Sequence, residues 1–434
     1  MIPLATPRFS GGTEPIIELV LAGANNANPK PNNKRLTNTV LYEDLSPNVE
    51  NQIKAAASKA KPSEDSPLMR LGMLGQSIWL DYICRDLIIS GELRSLIEED
   101  GLRGITSNPS IFEKAITGSH DYDEDIRDMV LKGKSVDTIY ETLTQQDVQS
   151  ASDEFLPLYD KTEGKDGYVS LEVNPHLAHN SRGTMEEARG LWVSVNRPNV
   201  LIKVPATTEG LPVIQQLISE GINVNVTLLF GIPRYRQVVE AYIAGIEARV
   251  TQRKPTNSVV SVASFFVSRI DALVDPMLDK IITQDGEEAE LAKPLRGQVA
   301  IASAKAAYQT YKEFFGGDRF KKLAAEGTHT QRLLWASTST KNSEYSDVKY
   351  IEALIGRDTI NTIPIETLDA YRDHGKPEDR IEQEVGKAHL MLDRLLGLGI
   401  NIDKVTQQLE EEGVDKFNKS FDKLMESLQK AVQN

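Results

Sequence analysis

The sequence predicts an α/β protein: a (β/α)8 TIM barrel with extra exterior helices, a helical C-terminal tail and an N-terminal extension. Three observations predict it. From Leu68 onward, short apolar runs alternate with amphipathic segments, the pattern of repeated strand–helix units around a parallel sheet. The runs number eight, the count at which such a sheet closes into a barrel. A chain of 434 residues also leaves room for additions, since these barrels commonly exceed about 250 residues as one domain.

In order, the runs are Ser77–Ile83, Gly104–Asn108, Tyr168–Asn174, Val200–Ala206, Asn223–Leu229, Val259–Phe266, Arg332–Thr338 and Thr359–Pro364. Helical patterns such as Tyr235–Ala248 and Gly297–Phe315 lie between them and are long enough for right-handed crossovers. The stretches Glu113–Asp166 and Pro276–Gln331 exceed a minimal crossover, so extra exterior helices are expected there. Residues 1–67 are rich in Asn, Pro, Lys and Ser and are expected to form a poorly ordered extension, with a short helix over Asn51–Ala60. Residues 68–434 are expected to form one barrel unit, including C-terminal helices from about residue 376 to 432. The tail from Glu382 to Val432 reads as helical throughout. Its residues Val414, Phe417, Phe421, Leu424 and Leu428 recur at three- and four-residue spacing and give it one face to bury against the barrel.

Hydrophobic and charged contents of 40% and 26% are those of a soluble globular protein. A formal net charge of -14 opposes non-specific attraction to nucleic acid or an anionic membrane, so neither is an expected partner, and a phosphate ligand must meet a local basic cluster. No run of about 18 apolar residues suggests a membrane span. The single cysteine, Cys84, cannot close an internal disulfide, which fits a reducing compartment, and a cytoplasmic location is expected. The apolar stretch Ile16–Ala24 contains Glu18 and follows Glu14, unlike a secretory signal; an organelle address such as a plastid stays open, as does homo-oligomerisation.

Polar groups on buried barrel strands are costly unless used, and catalytic side chains collect at the C-terminal strand ends. Three charged residues inside the runs therefore matter most. Lys203 sits among aliphatic residues in Val200-Leu-Ile-Lys-Val-Pro-Ala206, the setting in which a lysine becomes a nucleophilic amine; its alternative is a structural lysine paired with a carboxylate. Glu172 and Asp81 occupy equivalent places in the third and first runs, and imine chemistry needs one group to manage water and another to manage a substrate hydroxyl. Asn108 ends the second run, and Asn225 and Thr227, two apart in the fifth, share one strand face. Ser264, Phe266 and Arg269 close the sixth run and Lys341 follows the seventh, which puts hydroxyls and two cations on adjacent loops, an arrangement suited to phosphate oxygens. His176-x-x-His179 has no suitably spaced third ligand and reads as an ordinary loop pair, with no metal site.

Together these strings resemble the transaldolase family, in its longer bacterial and plant-like form, over about Leu71 to Gln429. The matches are the Asp81 strand, Thr106-Ser-Asn-Pro109, Leu171-Glu-Val173, Leu201-Ile-Lys-Val-Pro-Ala206, Asn225-Val-Thr-Leu-Leu-Phe230 and Ser264-Phe-Phe-Val-Ser-Arg269, all in family order. The resemblance implies a Schiff base on Lys203 with the C2 ketone of fructose 6-phosphate or sedoheptulose 7-phosphate. It implies Glu172 acting through a water held with Thr227, and Asp81 taking the C4 hydroxyl proton to release glyceraldehyde 3-phosphate or erythrose 4-phosphate. Asn108, Asn225 and Ser264 would hold the hydroxyls of the three-carbon unit, Phe266 would keep water from the intermediate, and no metal or organic cofactor would be needed. Lys341 departs from the arginine of shorter relatives and offers a point charge instead of a fork. A class I sugar-phosphate aldolase on the same barrel, or a non-catalytic barrel used as a binding module, are the rival readings.

Overall fold

The computed structural model describes residues 66–433. The expected N-terminal extension, with its helix over Asn51–Ala60, lies outside the described residues except for Ser66 and Pro67. Eight strands form the barrel: β1 Gln76–Leu80, β2 Gly104–Ile105, β3 Tyr168–Glu172, β4 Val200–Pro205, β5 Val224–Leu229, β6 Ser261–Phe266, β7 Arg332–Ala336 and β8 Thr359–Ile363. They follow one another around a closed, all-parallel sheet in which β8 returns to pair with β1. Every strand residue is buried, because side chains fill the barrel inside and helices cover it outside.

Each predicted run supplies one strand, but all except the fifth and sixth overshoot at the C-terminal end. The reason is physical: residues just past a strand's end still face the barrel mouth, and some still bond to a neighbouring strand, as Asp81 N does to the Ile363 carbonyl, so an apolar run outlasts the regular strand. Asp81 and Asn108 stand in these overshoots. The second run loses most, since Thr106–Asn108 leaves the sheet and Asn108 caps the Pro109–Gly118 helix, its Oδ1 accepting from Ile111 N at 3.1 Å with Pro109 at the first helical position.

β2 runs close beside both of its neighbours. A Cβ on Gly104 would lie 2.6 Å from the Trp79 ring and 2.7 Å from the Tyr168 carbonyl oxygen, so only glycine lets β2 pass between β1 and β3. At the N-terminal face a polar plug closes the barrel: Arg332 donates to Asp166 Oδ1 and to Ser77 Oγ, both at 3.0 Å. Arg332 is a fourth charged residue within the predicted runs, but it sits at the opposite end from Lys203, where residues serve stability.

The two long crossovers carry the expected extra helices, including Val136–Lys161 in the first and Val299–Phe315 in the second. The tail is not one continuous helix as its period suggested. It breaks into Val385–Gly397 and Ile402–Gln433, because Gly399 takes a left-handed conformation (φ +76°) and Ile400 N bonds back to the Leu395 carbonyl, while Asn401 Oδ1 accepts from Lys404 N to start the next helix. The last helix buries Val414, Phe417, Phe421, Leu424 and Leu428 and packs on the Pro109–Gly118, Val136–Lys161 and Ser268–Ile282 helices, beside the barrel mouth. Among the described residues no helix is long and apolar enough to cross a membrane.

Candidate active site

Strand register builds the centre. Glu172 on β3 lies opposite Lys203 on β4, and Lys203 lies opposite Asn225 on β5. Lys203 Nζ donates to Glu172 Oε2 at 3.0 Å and to the Ser107 carbonyl at 2.7 Å, with both side chains buried. The aliphatic neighbours thus surround the lysine's stem, while its nitrogen meets two oxygens. Glu172 Oε1 is buried without a partner. Burial pushes the Glu172 carboxyl above the usual carboxylate range; Lys203 opposes that rise and the charge of Asp81 adds to it.

Asp81 accepts from Thr106 Oγ1 at 2.8 Å, and that hydroxyl lies 2.6 Å from Thr362 Oγ1, so the segment just after β2 and strand β8 together fix the carboxylate. Burial raises the Asp81 pKa against the opposing pull of Lys203, the Thr106 hydrogen bond, Lys341 and Arg269. Thr227 is fully buried and its hydroxyl has no partner. Next to it Leu228 takes a φ of +55°, and the β5–β6 register shifts between Val226 and Leu229, a local strain of the kind held at functional sites. Asn225 is engaged at both ends: its Oδ1 accepts from Ser264 Oγ at 2.6 Å and its Nδ2 donates to Ser170 Oγ at 3.0 Å.

A cavity of about 320 Å³ opens at the C-terminal mouth, a size suited to a small ligand. Of the ten residues singled out from the sequence, Asp81, Asn108, Lys203, Thr227, Ser264, Phe266, Arg269 and Lys341 line it, whereas Glu172 and Asn225 stand behind Lys203 and Ser264. His176 and His179 point to separate carboxylates, Asp422 at 2.7 Å and Glu209 at 3.2 Å.

Sequence reasoning missed a second group of lining residues. Lys114 comes from the helix after β2, and Lys416 and Phe417 come from the last helix. Phe417 was legible only as one member of a packing stripe; in the structure its ring lies 5.9 Å from Lys203 Nζ. Lys114 and Lys416 look like solvated helix charges in sequence, and no local signal marks them. Arg269, Lys341, Lys416 and Lys114 form no ion pair among the described residues. Burial pulls Arg269 and Lys341 down from their ordinary values, with neighbouring cations adding to the effect on Lys341, and Arg269 is the main influence lowering Lys416. The mouth is therefore a concentrated positive field in a net acidic protein, only partly offset by the nearby Asp81 and Glu412 carboxylates, the condition for capturing a phosphate. Arg269 also lies over the Phe266 ring at 5.8 Å, and Phe266 packs on Phe230 at 5.0 Å.

A buried lysine on a carboxylate, a second carboxylate facing the same cavity and a cationic rim define a lysine-centred (β/α)8-barrel enzyme acting on an anionic small molecule. Comparison with known proteins gives the particular group. The family model described as Transaldolase/Fructose-6-phosphate aldolase matches residues 78–428. A transaldolase from Trichodesmium erythraeum is 47% identical over 370 residues, covering 84% of this chain and 97% of that protein. Transaldolase 2 of Nostoc punctiforme is 45% identical over 372 residues, with coverage of 84% and 97%, and the transaldolase of Mycobacterium tuberculosis is 42% identical over 366 residues, with coverage of 84% and 96%. The chain belongs to the transaldolase/fructose-6-phosphate aldolase family.

Proposed function

We propose that this enzyme is a cytoplasmic transaldolase of the pentose phosphate pathway, moving a dihydroxyacetone unit from a ketose phosphate to an aldose phosphate through a Schiff base on Lys203. The observation that carries the reading is the Lys203 nitrogen, lining the cavity while bonded to Glu172 at 3.0 Å. That contact supplies a proton acceptor to free the amine, which then attacks the C2 ketone of fructose 6-phosphate or sedoheptulose 7-phosphate. Glu172 next gives the proton back to the departing hydroxyl of the carbinolamine, through a water held with Thr227; both have an unpartnered buried oxygen to offer that water.

Asp81, held by Thr106, takes the C4 hydroxyl proton. The C3–C4 bond breaks, an aldose phosphate leaves, and the electron pair rests in the enamine on Lys203. Asn108 and Ser264 hold the hydroxyls of the three-carbon unit, and Asn225 contributes through Ser264. Phe266 keeps the acceptor side apolar, so the intermediate waits for an aldehyde instead of being hydrolysed. Arg269, Lys341, Lys416 and Lys114 grip the phosphate. The residues perform these steps with their own amine, carboxyl and hydroxyl groups.

Borohydride reduction in the presence of fructose 6-phosphate, followed by peptide mass analysis, tests the reading. It requires an adduct on Lys203, and turnover requires an acceptor aldehyde; steady release of product without one would make the enzyme an aldolase.

A further inference from the structure

Behind Glu172, on the side away from the substrate cavity, lies a second, smaller cleft of about 50 Å³, room for one or two water molecules. It opens between the Val136–Lys161 helix, the Ser181–Val195 helix and the last helix, with the exposed residues Asp137 and Glu141 on its wall. Glu172 lines this cleft and not the substrate cavity, whereas Lys203 lines the substrate cavity and not the cleft. The ion pair between them therefore bridges the two spaces. Phe417 and Phe421, one turn apart on the last helix, wall the substrate cavity and the cleft respectively.

We infer that the cleft is the water port of the site and that Glu187, on its wall, positions the water passing between solvent and Glu172. The inference rests on the Schiff-base reading above. Imine formation breaks the C2–O bond of the carbinolamine: the nitrogen lone pair becomes the C=N bond, Glu172 supplies a proton, and the oxygen departs as one water. Hydrolysis runs the same step backward, adding the oxygen of one water to C2 and returning its proton to Glu172. In both directions the sugar occupies the substrate cavity, so water has to reach Glu172 by another route. The unpartnered Glu172 Oε1, in a residue only 7% exposed, is the oxygen free to receive it.

Glu187 is built for that role. It is half-buried, its Oε1 accepts from Asn174 N at 3.0 Å, and among the described residues no cation pairs with it. The ionisable groups facing it across the cleft are Glu172 from β3 and Asp137, Tyr140 and Glu141 from the Val136–Lys161 helix, while the last helix presents Phe421. Burial pushes its pKa up to about 6, the Asn174 bond opposing and Glu141 assisting. Above that pH it is a carboxylate that accepts from water, and below it this acceptor is lost.

The test is enzyme-catalysed exchange of the C2 oxygen of fructose 6-phosphate with ¹⁸O-labelled water, without acceptor. Glu187→Gln keeps the Asn174 contact but cannot ionise, and Leu191→Phe fills the cleft with an apolar ring; thermal unfolding checks that both fold. Exchange falls by roughly tenfold in each, less than the about 10²–10⁴-fold of a group that itself transfers the proton because Glu187 acts through water and Glu172, with KM unchanged. The fall in exchange as pH drops through about 6 persists in Glu187→Asp and vanishes in Glu187→Gln. Wild-type exchange in either variant, or an unchanged pH profile in Glu187→Gln, overturns the port. Absence of exchange in a wild-type enzyme that still gives the borohydride adduct on Lys203 also overturns the port, whereas absence of that adduct removes the Schiff-base reading on which it rests.

Discussion

Replacing Arg269 with alanine isolates phosphate recognition. Its guanidinium lies over Phe266 and has no carboxylate partner among the described residues, so its donors are uncommitted at the cavity mouth. A charge-assisted hydrogen bond is worth about 1.5–3 kcal/mol, and about 1.4 kcal/mol is tenfold, so complete loss of one contact weakens binding by about 10- to 150-fold. Lys341, Lys416 and Lys114 remain on the same rim and cover part of that loss, which places Arg269→Ala in the lower half of the range. Lys341→Arg acts oppositely, preserving or improving phosphate use because a fork engages two oxygens. The assay is steady-state kinetics with fructose 6-phosphate and with unphosphorylated fructose. The expected result is a KM raised about 10- to 30-fold for the phosphorylated donor and little changed for the other. Equal losses on both donors would refute the argument and make Arg269 a structural residue.

Lys203→Ala abolishes borohydride trapping while leaving a folded protein, and an adduct on another lysine in this variant would sink the assignment. Asp81→Asn slows carbon–carbon cleavage more than imine formation, whereas Glu172→Gln does the reverse; rapid-quench separation of the two steps decides, and equal effects on both reject the division. Because burial raises the Asp81 pKa and the base must be ionised, cleavage declines on acidification at a pH above the ordinary aspartate value of about 3.9, a limb that Asp81→Asn lacks. Gly104→Ala forces a methyl against the Trp79 ring and the Tyr168 carbonyl and costs about 1–3 kcal/mol of stability, read from denaturant midpoints; an unchanged midpoint would show that β2 can shift freely.

The barrel, its eight strands in order and the charged residues Lys203, Glu172 and Asp81 within or just past three of those strands were legible in the sequence. Those follow from local rules: apolar runs of strand length, and a charge that an apolar run tolerates only for a purpose. It could not separate Lys203 from Arg332 by composition alone, since only position along the strand, C-terminal for one and N-terminal for the other, distinguishes a site from a plug. Nor could it show that Asn225 is held between Ser264 and Ser170, because strand register is a property of neighbouring strands. The tail shows the limit most plainly. Its apolar stripe announced a face to bury, yet the partner it packs on lies about 300 residues earlier in the chain, in the Pro109–Gly118 helix. Only that tertiary packing carries Lys416 and Phe417 to the mouth of the cavity, because a side chain's neighbours across such a separation are set by how elements pack and not by the residues beside it in sequence.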